Sequence, residues 1–352
     1  MKRFLKRTAL ALALVFFLMM TVNSPLFAPQ PKGYVRLIAH RGAYQLYSHA
    51  KLGRDTCTAT RIYPPTHLYH ENTLAGIAQA RRLGAQMVEI DIAPTKDGKI
   101  AVFHDWTLDC RTNGKGNVRD HTMAELKALD ATYGYTADGG KTFPFRGQGV
   151  GRIPELGEVL AAFPDTPLLF NFKSKDAAEA DLLAAALTAA GRDPVARRDG
   201  FYAGNEAGPV TRIRALYPKA WTFSMEAAKA CTKAYGWQGW MGLVPEICRG
   251  RTIVVPLNYQ WAMAGWPDRM IARMEKAGTR MVLVAPVDGK DHAAGLDMPE
   301  QLRDVPSSFN GMLWVDDIYT LGPALRPALN KRNPVEEQEL AREIERRRKV
   351  RE

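Results

Sequence analysis

The stretch MVEIDIAPTKDGKIAVFHDWTLDCRTNGKG, residues 87–116, decides how the rest of the chain is read. Residues 87–92 combine β-branched side chains with the two-residue alternation of a pleated ribbon, which predicts a strand. Glu89 and Asp91 stand two apart on it, so both carboxylates leave the same face. Asp97-Gly98 is a tight-turn pair and residues 100–103 are a second apolar run, so the segment folds back as a hairpin. That hairpin returns His104-Asp105 towards Glu89 and Asp91. Two acids and an imidazole gathered this way suit a hard divalent cation beside an acid/base group. A polar strand face open to water, with a surface histidine, is the plainer reading of the same residues.

Working outward, the apolar run 35–39 ends on His40-Arg41-Gly42. Glu71-Asn72-Thr73 opens an amphipathic helix over 73–82, with Asn72 as the expected cap. Taken in order, His40-Arg41-Gly42, Glu71-Asn72-Thr73, Glu89-Ile90-Asp91, Thr95-Lys96-Asp97-Gly98 and His104-Asp105 resemble the glycerophosphodiester phosphodiesterase family. The resemblance runs from about residue 35 to residue 317, and the first third carries nearly all its specificity. It implies a TIM barrel that hydrolyses glycerophosphodiesters to glycerol 3-phosphate and an alcohol. His40 and His104 would be the acid/base pair, with the division of labour between them open. Arg41 would hold the phosphate through its planar, permanently charged fork. Glu89 and Asp91 would ligate Mg²⁺ or Ca²⁺, with Glu71 and Asn72 supporting the site. The nucleophile would be the substrate's own neighbouring hydroxyl, in keeping with the lack of an evident activated Ser or Cys.

One segment departs from the family pattern. Relatives commonly carry a Glu two residues before a Lys on the strand at 168–174, and that Glu completes the metal site. Here the run reads Asn171-Phe172-Lys173-Ser174-Lys175, so Lys175 keeps the lysine position while Lys173 stands where the carboxylate belongs. An ammonium repels a cation. Three readings follow: Glu71, Glu226 or Asp316 completes the metal set, Lys173 replaces the metal on the phosphate beside Lys175, or activity is lost and a phospholipid-binding module remains. A phospholipase D-like hydrolase of intact phospholipids or sphingolipids is the alternative within enzymes.

The remaining rhythm supports the barrel. Strands are expected near 168–172, 201–204, 221–225, 253–257, 281–285 and 312–315, with helices near 154–163, 176–190, 210–216 and 269–277. With 35–39 and 87–92 this makes about eight βα units, an α/β TIM (β/α)8 barrel over residues 33–325. Insertions follow the first two strands at 43–70 and 105–151. In the second, Thr122 caps a short helix and Glu125 completes its capping box. Tyr44, Tyr47, Tyr63 and Tyr69 either line the substrate pocket or pack beneath the first insertion, while His49, His67 and His70 read as loop packing.

The 352 residues carry a formal net charge of +11 that is partly local. Lys2, Arg3, Lys6 and Arg7 crowd one end and the basic run 346–351 the other, and this charge favours anionic partners such as a lipid surface. No basic-aromatic array or nucleic-acid motif accompanies it, and protein partners are not legible. A basic start precedes the apolar run 8–22, so residues 1–30 are a signal peptide or a membrane anchor. Pro29 after Ala28 and the bulky Leu26 disfavour cleavage there, which points to an inner-membrane anchor with an exported, periplasmic domain. Cys57, Cys110, Cys231 and Cys248 allow three disulfide pairings. Cys57 with Cys110 would tie two site loops, and Cys231 with Cys248 is the local choice; four reduced thiols is the alternative. The charged tail, residues 334–352, reads as a solvated helix or as a membrane contact through Arg346, Arg347, Arg348 and Lys349.

Overall fold

The alternation of apolar runs and amphipathic stretches resolves into strands and helices in the expected order. The computed structural model describes residues 1–50, 52–53, 56–287 and 294–351. Residues 51, 54 and 55 of the first insertion and residue 352 of the tail lie outside the described residues. In chain order come α1 (Lys2–Asn23), β1 (Arg36–Ala39), α2 (Leu74–Arg82), β2 (Met87–Pro94) and β3 (Ile100–Val102). Next are α3 (Met123–Ala128), α4 (Leu156–Ala162), β4 (Leu168–Phe172), α5 (Ala178–Ala189), β5 (Gly200–Ala203) and α6 (Pro209–Leu216). The remainder is β6 (Trp221–Ser224), α7 (Met225–Gln238), β7 (Thr252–Pro256), α8 (Asp268–Lys276) and β8 (Arg280–Val284), followed by β9 (Met312–Val315), α9 (Ile318–Leu325) and α10 (Pro334–Arg351).

The strands follow the order β6-β5-β4-β2-β1-β9-β8-β7, with β3 off that path as the antiparallel partner of β2. The registers β1–β2, β2–β4, β4–β5, β5–β6, β7–β8 and β8–β9 are all parallel. Parallel strands joined by helices are the α/β TIM-barrel class, and β3 is the returning arm of the hairpin. The chain divides into two compact units. The larger comprises Leu37–Met225, Gly295–Leu302 and Trp314–Glu352, and the smaller Met1–Arg36, Glu226–Ala294 and Arg303–Leu313.

In the larger unit, Ile38, Ile90, Phe170 and Phe201 are fully buried on neighbouring strands. Both insertions belong to it and share a cluster of Tyr44, Tyr47, Ala59, Ile62, Tyr135 and Phe145. The Cys57–Cys110 disulfide joins them, as the first of the expected pairings has it. Tyr44 and Tyr47 are therefore packing residues, and His70 is buried edge-on to Tyr135 and Phe145. Thr122 and Glu125 form the expected capping box of α3. Two end assignments are corrected. Thr73, not Asn72, caps α2 by accepting from the Gly76 N–H, because Asn72 is drawn into the site. Pro154 lies before α4, whose cap is Glu155.

The charged tail is corrected too. Along α10, Leu340 is buried and Arg347 is 1% exposed, paired with Asp317 at 3.0 Å and donating to the Asp297 carbonyl. Arg348 pairs with Glu300. The helix is docked to the larger unit through Arg347 and Arg348, while Arg346 and Lys349 stay exposed.

In the smaller unit, β7 and β8 bury Ile253, Val255, Val282 and Leu283, and α8 turns Met270, Ile271 and Met274 inward. Cys231–Cys248 closes the connection after α7, as expected. Helix α1 has 22 residues and is long and apolar enough to cross a membrane.

Candidate active site

The carboxyl ends of the larger unit's strands carry the chemistry, as parallel βα architecture dictates. His40 and Arg41 follow β1, Glu89 and Asp91 lie on β2, His104 follows β3, Lys173 follows β4, Tyr202 is on β5 and Asp316 follows β9. Strand β2 runs on past Asp91 into its pairing with β3, so the two acids sit within the strand rather than at its tip.

Backbone strain marks the entry to the site. Arg41 and Asn72 have φ of 58° and 56°, a left-handed region that costs a non-glycine residue energy. Each is held there: the Arg41 N–H donates to Glu89 Oε2 at 2.9 Å, and the Asn72 N–H donates to the Arg41 carbonyl at 2.9 Å. Gly42 is required by contact as well as by its φ of 83°, since a Cβ there would meet the Gly76 carbonyl carbon at 2.9 Å.

Both carboxylates on β2 are fully buried. Glu89 accepts from the Tyr202 hydroxyl at 2.7 Å and from Arg41 N–H. Asp91 accepts from Asn72 Nδ2 and Asn171 Nδ2, each at 2.8 Å, and Lys173 Nζ lies 3.5 Å from its Oδ1. Arg41 Nε stands 3.5 Å from Asp91 Oδ2, close enough for charge attraction but without a hydrogen bond. Its Nη1 donates to Glu71 Oε1 at 3.2 Å, and the other Glu71 oxygen lies 3.1 Å from Arg111 Nη1.

Each histidine is oriented by its own acid. His40 Nδ1 and Asp316 Oδ1 are 2.6 Å apart, and His104 Nδ1 and Asp105 Oδ1 are 2.6 Å apart. Since a carboxylate only accepts, Nδ1 is the donor in both rings and Nε2 is left for other work. Arg111 in turn holds Asp105, with Nε 2.9 Å from Oδ2, and donates to Tyr135 and Thr58.

The two imidazoles are biased in opposite directions. Burial alone would depress His40, but the Asp316 carboxylate, helped by Glu89, raises its pKa above 6.5. Burial, followed by the charges of Arg41 and Lys173, lowers His104 to about 4. Burial works to raise Asp91, yet Lys173, His104 and Arg41 hold it well below the usual carboxylate range. Burial and the charge of Asp91 raise Glu89.

The donor set does not fit a divalent cation. Asp91 is engaged by two amides and faces an ammonium and a guanidinium, and Glu89 is engaged on both oxygens. Among the described residues, no group of three or more His, Cys, Asp or Glu is arranged to hold a metal. The acids considered as a third ligand have other tasks or places. Glu71 is paired with Arg41 and Arg111, Asp316 with His40, and Glu226 begins the smaller unit.

His40, Arg41, Glu71, Asn72, Glu89, Asp91, His104 and Lys173 are thus one connected group. Lys175 is exposed two residues farther on, and no ion pair among the described residues ties it to that group. Arg111, Asn171 and Tyr202 went unread in the sequence, as did the orienting roles of Asp105 and Asp316. Asp105 follows His104 directly and offered a signal; Arg111, one of six Lys or Arg residues in the second insertion, offered none.

A family model described as glycerophosphoryl diester phosphodiesterase matches residues 40–225. A glycerophosphodiester phosphodiesterase of Caldanaerobacter subterraneus subsp. tengcongensis is 43% identical over 105 residues, 30% of this chain and 40% of that protein. One from Bacillus subtilis (strain 168) is 41% identical over 96 residues, 26% of this chain and 31% of that protein. The chain therefore spans less than half the length of these relatives. Among solved structures, a glycerophosphodiester phosphodiesterase from Agrobacterium tumefaciens is 20% identical with a TM-score of 0.55, covering 83% of this chain and 99% of that one. An Oleispira antarctica phosphodiesterase in complex with the product sn-glycerol-3-phosphate is 19% identical with a TM-score of 0.52, covering 83% and 97%. At such identities these two structures speak for the fold.

Proposed function

The chain belongs to the glycerophosphoryl diester phosphodiesterase family, and from that membership we propose that it hydrolyses glycerophosphodiesters to glycerol 3-phosphate and an alcohol. The observation that carries this reading is the pair of imidazoles, each fixed through Nδ1 by its own carboxylate and biased in opposite directions. A site that needs one acid and one base separates their proton affinities in this way. His40, biased towards the charged form, protonates the leaving alkoxide. His104, neutral above about pH 4, takes the proton of the attacking hydroxyl. In the reaction the resemblance implies, that hydroxyl is on the glycerol carbon beside the ester. Its oxygen bonds to phosphorus, the bond to the alcohol breaks, and water then opens the cyclic ester with the histidines in reversed roles.

Charge on the phosphoryl oxygens falls to Arg41 and Lys173. Arg41 Nε is buried without a hydrogen bond, a donor that an anionic oxygen satisfies. Lys173 supplies a positive charge where a third carboxylate would have held a cation, so turnover needs no divalent metal. Two disulfides, and the basic residues Lys2, Arg3, Lys6 and Arg7 in the first turns of α1, support an exported catalytic unit.

The test is release of glycerol 3-phosphate from glycerophosphocholine and glycerophosphoethanolamine by the purified full chain, with and without EDTA. Release that survives EDTA and disappears in His40→Ala and His104→Ala is expected. Turnover abolished by EDTA would overturn the role given to Lys173. No release from either substrate would overturn the hydrolase reading.

A further inference from the structure

The C-terminal end of α1 is built into the smaller unit by specific polar contacts. Helix ends leave carbonyls unsatisfied, and guanidinium groups are favourable partners for them. Here the Val22 carbonyl accepts from Arg269 Nε at 3.0 Å and Arg273 Nη2 at 2.9 Å. Arg273 Nη1 also donates to Asn23 Oδ1 at 2.8 Å, and Asn23 Nδ2 donates to the Trp240 carbonyl at 2.9 Å. Asn23 is buried by these contacts, and Val22 Cγ1 packs so near Gly242 that a Cβ there would sit 2.6 Å away. Removing α1 would strip Arg269 and Arg273 of these bonds.

Around that helix end the smaller unit exposes large apolar side chains that a water-facing surface has no use for. Trp237 is 83% exposed and Trp261 is 77% exposed, with Met241 and Leu243 also open. Trp261 and Trp240 line the same apolar cavity, about 680 Å³, as Phe17 and Met20 of α1. Phe17 lies six residues before the end of α1, so the cavity reaches roughly 9 Å along the helix axis.

We propose that this tryptophan-rich surface is the membrane-facing side of the smaller unit, seated in the headgroup region of a phospholipid bilayer that α1 spans as a retained anchor. The occupant follows from continuity. Along α1, Leu10, Leu12, Leu14, Phe16 and Phe17 are exposed, and hydrocarbon is the medium that suits the apolar run 8–22. Helix α1 is about 33 Å long in all and its apolar run 8–22 about 22 Å. That run is shorter than a hydrocarbon core of about 30 Å, so Lys6 and Arg7 extend their side chains to the polar layer and the bilayer thins locally around the helix. Its basic start then lies at one face, and its clamped end, with Trp237, Trp240 and Trp261, at the other. Tryptophan is favoured at that depth because its ring is apolar and its N–H seeks the polar layer. A soluble partner or a second copy could cover the tryptophans but would leave α1 in water.

The test uses the full chain reconstituted in phosphatidylcholine vesicles in which a fraction of the lipid carries brominated chains. Tryptophan emission is quenched by these lipids, and Trp237→Phe/Trp261→Phe loses most of the quenching. Both positions are exposed, so an unchanged melting temperature and unchanged turnover are expected in the variant. Quenching equal in wild type and variant would overturn the placement. So would tryptophans shielded from aqueous acrylamide yet untouched by bromine, which would mean that protein covers them. A mass for the membrane-extracted chain that lacks α1 would overturn its retention. None of these readouts depends on which phosphodiester is cleaved.

Discussion

The ammonium of Lys173 lies 3.5 Å from Oδ1 of Asp91, the oxygen that Asn171 Nδ2 reaches at 2.8 Å. The aspartate is fully buried beside the lysine, whose side chain remains 20% exposed. In the proposed mechanism Lys173→Ala removes a cation that stabilises the developing phosphoryl charge. It lowers kcat roughly 10²–10³-fold, the usual loss for one electrostatic stabiliser. Lys173→Glu adds a third carboxylate beside Glu89 and Asp91, so residual turnover becomes sensitive to EDTA and is raised by added Mg²⁺ or Ca²⁺. Steady-state rates with and without chelator decide it; a Lys173→Glu enzyme as indifferent to EDTA as wild type would refute the exchange of charge for metal.

The opposite shifts of the two histidines set the pH profile. In the proposed mechanism His104 is the base once deprotonated, so kcat/KM climbs through about pH 4. His40 is there the acid while protonated, so the rate falls only above the ordinary histidine value of 6.5. Asp316→Asn removes the carboxylate that raises His40 and leaves burial to depress it. The alkaline limb then moves to lower pH while the acid limb stays. A pH–rate series on both proteins checks this, and an unmoved alkaline limb would contradict the assignment of His40 as acid.

How far the sequence could be read depended on whether each residue announces itself locally. Strand periods and the His-Arg-Gly, Glu-Ile-Asp and His-Asp motifs are short-range signals, and they located β1, β2 and the returning hairpin to within a residue or two. The α2 cap was misassigned because Asn72 and Thr73 are both good caps. Only the long-range bond from Asn72 to Asp91 shows which one was spare. Asp316 is in the sequence one of several acids open to a metal; that it faces His40, 276 positions earlier in the chain, is a fact of barrel topology. Arg111 carries no local signal either, since Glu71 belongs to another segment of the site and Asp105, in the same insertion, is shared with His104.

The two disulfides should differ in weight. Cys57–Cys110 closes a loop of sequence separation 53 and Cys231–Cys248 one of 17. In the chain-entropy picture the first stabilises by about 4 kcal/mol and the second by about 3. The first also anchors the segment in which Arg111 holds Asp105. Cys57→Ser/Cys110→Ser therefore loses more stability in urea denaturation and loses turnover, while Cys231→Ser/Cys248→Ser loses stability and keeps most of its turnover. Equal activity losses in the two variants would show that the insertions do not support the site.

Arg347 tests whether α10 serves the site from behind. Its guanidinium is buried against Asp317, the residue after the acid that orients His40, and the Asp317 side chain also caps α9 by accepting from the Thr320 N–H. Arg347→Met keeps the volume but leaves Asp317 buried without its charge partner, a change that costs about 3–5 kcal/mol. Lys349, exposed on the same helix, shifts stability by less than about 0.5 kcal/mol when replaced by alanine. If Arg347 acts only as a brace for the fold, Arg347→Met lowers the denaturation midpoint and leaves the pH profile alone. If it also sets the position of Asp316, the alkaline limb assigned to His40 moves to lower pH. We expect both changes, because Asp316 and Asp317 are adjacent and share the loop that α10 clamps.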